Sequence, residues 1–126
     1  MKKVMPQEIE LWYLIPAIRR ELAKIFINEY GFSQKKSAQI LGITEAAISQ
    51  YLSSKRANEI KFSAREIEEI KKTAKKIVNN EKESMKFLYN LSTIFRGSKI
   101  ICKLHRSKDK SIDKNCKICS TDKKFI

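Results

Sequence analysis

Gln34-Lys-Lys-Ser-Ala38-Gln-Ile-Leu-Gly42-Ile-Thr44-Glu-Ala-Ala-Ile48-Ser-Gln-Tyr51-Leu52 is the stretch on which the reading of this 126-residue chain turns. Ser33, immediately before it, is suited to cap a helix by accepting from the free amides of the first turn, and Thr44 is suited to do the same for a second helix. The first helix is short and stops at Gly42, whose backbone can turn sharply where a side chain would obstruct it. Two helices crossing steeply need a small residue at their contact, which Ala38 supplies, and the second must bury apolar side chains against the first, for which Ile48 and Leu52 serve. Alanine, glycine four residues on and isoleucine six further is the spacing of a helix-turn-helix unit.

Outward from this stretch the chain reads as helical. Three Gly and two Pro leave little turn chemistry for a many-stranded sheet. Met5 to Tyr30 reads as helix with an interruption near Pro16, because proline lacks a backbone donor and disfavours a helical residue before it. A break at Leu14 or Ile15 with a new helix from Pro16 is expected. Ile18, Leu22, Ile25 and Phe26 then form a buried stripe, and Gly31 ends the helix. Downstream, Ser63 with Glu66 makes a capping-box pattern ahead of an apolar seam of Ile67, Ile70, Ala74 and Ile77. Asn80 with Glu83 repeats that signature before a helix carrying Met85, Leu88, Leu91 and Phe95, closed by Gly97. The expected architecture is all-α: a helix-turn-helix bundle over residues 1–62, two helices over 63–97 with a seam able to dimerise, and a small metal-binding Cys/His tail over 98–126.

Charge points to the partner. The 27 basic and 14 acidic residues leave a formal charge of +13, a field that favours a polyanion. Residues 1–62 carry 10 basic and 6 acidic side chains, 63–95 carry 7 and 5, and 96–126 carry 10 and 3. Two basic regions thus flank a nearly neutral one, which suits phosphate contacts from more than one place. No signal peptide or transmembrane run is evident, so a cytoplasmic protein with reduced thiols is expected. Nothing resembles an enzyme: one histidine, no Gly-rich phosphate loop and no paired carboxylates in an apolar setting. Glu66, Glu68 and Glu69 interleave with lysines as a solvated helix face does.

The same residues carry a family resemblance. Leu14-Ile-Pro-Ala-Ile-Arg-Arg-Glu-Leu-Ala23, Gly31-Phe-Ser-Gln34, Ala38 through Gly42, and Ile43 through Leu52 with Lys55-Arg56 resemble archaeal predicted transcriptional regulators with a lambda-repressor-like (Xre-type) helix-turn-helix, over roughly the first half of the chain. The resemblance implies a compact helical DNA-binding domain. Docking geometry would lay the second helix in the major groove with its N-terminal half against base edges. There Thr44, Glu45, Ala46, Ser49 and Gln50 point outward: Gln50 could pair with adenine, Glu45 accept from cytosine, and Ala46 touch a thymine methyl. Ser33 and Gln34 stand where a helix N-terminus can meet a phosphate, and Lys35, Lys36, Lys55 and Arg56 would add salt-dependent contacts. One such unit reads few base pairs, so a homodimer on double-stranded DNA is expected.

The tail holds every cysteine and the one histidine. Cys102-Lys-Leu-His105 and, ten residues later, Cys116-Lys-Ile-Cys119 make two ligand pairs with two residues between partners. Four such donors suit a closed tetrahedral zinc site. The resemblance favours this too, since similar archaeal regulators often end in a Cys/His-bearing segment. The same ligands could hold an iron–sulfur cluster sensing oxygen, redox state or iron supply. A third reading leaves a Cys-x-x-Cys pair with an unrelated His and a buried Cys. Rival functions also remain open: an antitoxin-like or polymerase-bridging interaction module, or RNA binding through the basic tail.

Overall fold

The computed structural model describes residues 3–53 and 59–119. Every regular element among them is helical, with no strand. The chain opens with α1 (Pro6–Ile9), a π turn (Glu10–Leu14) and α2 (Ile15–Tyr30), which follow one another without a break. The expected interruption at Pro16 is therefore a widened turn and not a new helix. The proline ring crowds the carbonyl four residues back in an ordinary helix. Here the Ile15 amide reaches back five residues, to Glu10. A π bulge of this kind relieves the clash and lets the helix continue.

From α2 the side chains of Ala17, Ile18, Leu22, Ala23, Ile25 and Phe26 are buried. Gly31 ends the helix at φ +67°, and Phe32 folds back to bring its ring 5.9 Å from that of Phe26. Two short helices follow, α3 (Gln34–Leu41) and α4 (Glu45–Leu52). The Lys36 amide donates to Ser33 Oγ at 3.0 Å, and the Ala47 amide to Thr44 Oγ1 at 3.1 Å. Gly42 between them has φ +68°, a left-handed conformation that L side chains rarely adopt. Both helices pack on α2 as well as on each other.

The next helix, α5 (Ala64–Asn79), begins with the expected capping box. The Ser63 amide donates to Glu66 Oε1 at 2.8 Å, and the Glu66 amide to Ser63 Oγ at 3.3 Å. Its seam does not face a partner. Ile70, Ala74 and Ile77 have no exposed surface, and α5 packs against α2 and α6. Three of the four seam residues thus lie in the chain's own core, and the fourth, Ile67, is half-buried. Asn80 makes no side-chain cap. It introduces a 3₁₀ turn (Glu81–Glu83), after which α6 (Ser84–Phe95) buries Leu91 and Phe95 and leaves Met85 in solvent. Ser84 Oγ donates to the Ile40 carbonyl at 3.0 Å and so ties α6 to α3. Gly97, at φ +76°, turns the chain into α7 (Lys99–Lys108).

One cluster of buried apolar side chains runs from Val4 to Ile101. The N-terminal segment, the α3–α4 pair and α7 thus share a single core. Arg20, itself buried, donates through Nη2 to the Ile60 carbonyl at 3.0 Å, fixing the chain where it returns towards α5. No helix among the described residues is long and apolar enough to cross a membrane.

Candidate functional site

The surface of α4 divides cleanly. Ala47, Ile48 and Tyr51 are buried against α2 and α3, while Thr44, Glu45, Ala46, Ser49 and Gln50 are exposed. All five expected base-facing residues therefore lie on one open face. Tyr51, at 3% exposure, fills the inner position expected of Leu52, which is half-buried. Three residues from Ile48 bring a side chain to the α2 face as well as four do, so spacing does not distinguish Tyr51 from Leu52. Glu45 occupies the first turn of α4, where a carboxylate also offsets the positive end of the helix.

At the start of α3, Ser33, Gln34, Lys35 and Lys36 are all exposed. The Ser33 hydroxyl is already accepting from the Lys36 amide. The amides of Gln34 and Lys35, in the first turn, have no partner within the helix. The Lys36 ammonium lies 4.8 Å from the Phe32 ring centroid and 3.4 Å from Glu81 on the 3₁₀ turn. Both members of that ion pair are more than two-fifths exposed, so water competes with it and it holds the two side chains only weakly. Lys55 and Arg56 lie outside the described residues.

A second constellation forms where α7 meets the N-terminal segment. Cys102 and His105 from α7 line the same cavity as Cys116 and Cys119 from the turns beyond it, with Pro6 and Gly97 on its walls. Its volume is about 40 Å³. None of the three cysteines is in a disulfide. As the side chains stand, no three His, Cys, Asp or Glu among the described residues are close enough together to hold a metal ion. The sequence pairs therefore meet at one cavity without converging on one point.

His105 on α7 and Asp109, the residue just past its end, hold Val4 from the other end of the sequence. His105 Nε2 hydrogen-bonds the Val4 carbonyl, and the Val4 amide donates to Asp109 Oδ2 at 2.7 Å. A carbonyl only accepts, so Nε2 is the donor in this bond. The Asp109 carboxyl lies below its ordinary range because the Ser111 hydroxyl, the Val4 amide and the Ser111 amide all donate to it, with a smaller contribution from the nearby His105. Arg96, the first basic residue of the 96–126 stretch, pairs with Glu10 through two guanidinium nitrogens. Lys108 sits 3.7 Å from Glu59 and 5.0 Å from the Tyr13 ring centroid. No local pattern announces the Val4, Arg96 and Lys108 contacts, since each joins residues far apart in sequence.

Compared with known proteins, the chain matches no family model, no curated protein sequence and no solved structure.

Proposed function

We propose that this protein is a sequence-specific DNA-binding transcription regulator, with α3 and α4 as a lambda-repressor-like helix-turn-helix and α4 as the helix that enters the major groove. The observation that carries the reading is the division of α4: five adjacent polar or small side chains, Thr44, Glu45, Ala46, Ser49 and Gln50, are exposed while Ala47, Ile48 and Tyr51 anchor the helix. The capped, basic N-terminus of α3 beside it and the charge of +13 favour a polyanionic duplex as occupant. A homodimer on two half-sites would supply affinity, and it would use a surface other than the α5 seam. The reading extends to the tail, where Cys102, His105, Cys116 and Cys119 would hold a metal. Three thiolates and an imidazole suit zinc, and an iron–sulfur cluster is the alternative donor chemistry.

Selection from a random duplex pool, followed by fluorescence anisotropy over a range of salt, tests the DNA reading. A defined site should emerge, and Gln50→Ala should relax discrimination at one base by about 1–3 kcal/mol. If no sequence is enriched, or structured RNA outcompetes every duplex, the regulator reading fails.

A further inference from the structure

We propose that the cavity below α7 takes one zinc ion through His105 Nδ1, and that metal binding and docking of the N-terminal segment are one linked event. The inference rests on the metal reading of the tail. A metal-bound histidine takes its orientation and its tautomer from whatever its second nitrogen bonds. In this protein that partner is the Val4 carbonyl, a pure acceptor 101 residues away. Nε2 is thereby committed as donor, which leaves Nδ1 as the one ring nitrogen able to ligate a metal, on a residue lining the same cavity as all three cysteines. Asp109, one helical turn on, holds the amide of the same Val4. Val4 is therefore gripped at both its carbonyl and its amide, and Val4, His105 and Asp109 are all buried. An interior of about 40 Å³ has room for one ion-sized guest, since a single water needs only about 10–15 Å³. Capture of zinc requires the cysteine side chains to turn inward, but the imidazole is already held.

Linkage then runs in both directions. Zinc on Nδ1 fixes the tautomer that donates to Val4, so it favours the docked segment. A docked segment presents the imidazole in its ligating form, so it favours zinc by the same factor. Loss of a carboxylate or carbonyl behind a ligating histidine typically weakens metal binding about 10–100-fold.

The test uses the full chain, freed of metal and titrated with zinc against a chromophoric chelator. Binding of one equivalent to colourless protein is expected. Long-range ¹⁵N–¹H spectra should show Nδ1 as the ligand with Nε2 protonated, and the Val4 amide should exchange at least about tenfold more slowly with zinc than without. Asp109→Ala, which releases that amide, acts on the site only through Val4 and should weaken zinc binding by at least about fivefold. Ligation through Nε2, or Val4 exchange indifferent to zinc, overturns the linkage while leaving a metal site in place. Absence of zinc binding, or iron with acid-labile sulfide in the purified protein, overturns the single-ion site itself. The spectra and the exchange measurement use unaltered protein, so a poorly folded Asp109→Ala leaves the test intact.

Discussion

Ser33 and Thr44 each bond an amide three residues ahead, whereas His105 and Asp109 bond the carbonyl and amide of a residue 101 and 105 positions behind. The α3–α4 pair is shaped by contacts that close within a few residues, and burial of Ile48 and Tyr51 then fixes it to α2. The α7 region has one deeply buried aliphatic residue, Ile101, and beyond it a histidine and an aspartate in core positions. A region whose ends are set by local caps and whose inner face is apolar owes little to any single distant polar bond. A region held by polar bonds to a distant segment depends on that segment, and on any ion that shares its histidine. The first arrangement suits a rigid reading surface, and the second suits a part whose stability can be altered.

Breaking the local region takes a change in the core. Ile48 has no exposed surface, and Ile48→Ala should cost about 2–5 kcal/mol by lost burial and an unfilled cavity. Urea unfolding would show it, and DNA binding should fall with it. If stability stays within error, α4 is not anchored as described. The distant region calls for a different change. Asp109→Asn keeps the shape but removes the charge that Ser111 and Val4 stabilise, and it should lower the unfolding midpoint near neutral pH. Because the folded carboxyl lies below its ordinary range, its stabilisation is present above the unfolded carboxyl's titration and disappears as pH falls through the folded one. Wild type and variant should therefore converge in strong acid. A gap that persists there would place the effect in packing and not in charge.

The same division explains what could be read before any coordinates. Ser33, Gly42, Thr44 and the Ser63–Glu66 box announce themselves because each acts on its near neighbours, and the helices they delimit lie where expected. The capping signature at Asn80 and Glu83 misleads, since Asn80 makes no side-chain cap and the chain forms a 3₁₀ turn there. Pro16 was legible as a perturbation but not as a π bulge, because proline's clash can be relieved by breaking a helix or by widening it. The apolar seam of α5 was legible as a seam. Whether it met another protomer or α2 depended on long-range packing that periodicity does not encode. The four Cys/His positions stood out by spacing, and they do line one cavity. The Val4 grip and the Arg96–Glu10 pair left no trace in the sequence, since a valine near the N-terminus and an arginine after a helix have no distinctive neighbours.

Smaller changes sharpen the contrast within the local region. Thr44→Ala removes the cap on the Ala47 amide and should cost about 1 kcal/mol, read as a lower unfolding midpoint with the α7 contacts unaffected. If amide exchange at Val4 accelerates as well, the two regions are coupled more tightly than their separate restraints imply.

Lys36→Ala should have the least effect on stability and a clear one on binding. Its partners are the Phe32 ring face and an exposed carboxylate, Glu81, and exposed pairs contribute about 0.2–1 kcal/mol. Unfolding should therefore shift by no more than that. On DNA the same ammonium would leave Glu81 for a phosphate and release a counterion, so the variant should bind all duplexes more weakly and lower the salt slope by about one. Glu81→Gln separates the two roles. It removes the competitor without touching the lysine, and should leave stability nearly unchanged while strengthening duplex binding at moderate salt. If both variants weaken binding equally, the ion pair positions α3 and Lys36 does not reach the phosphate.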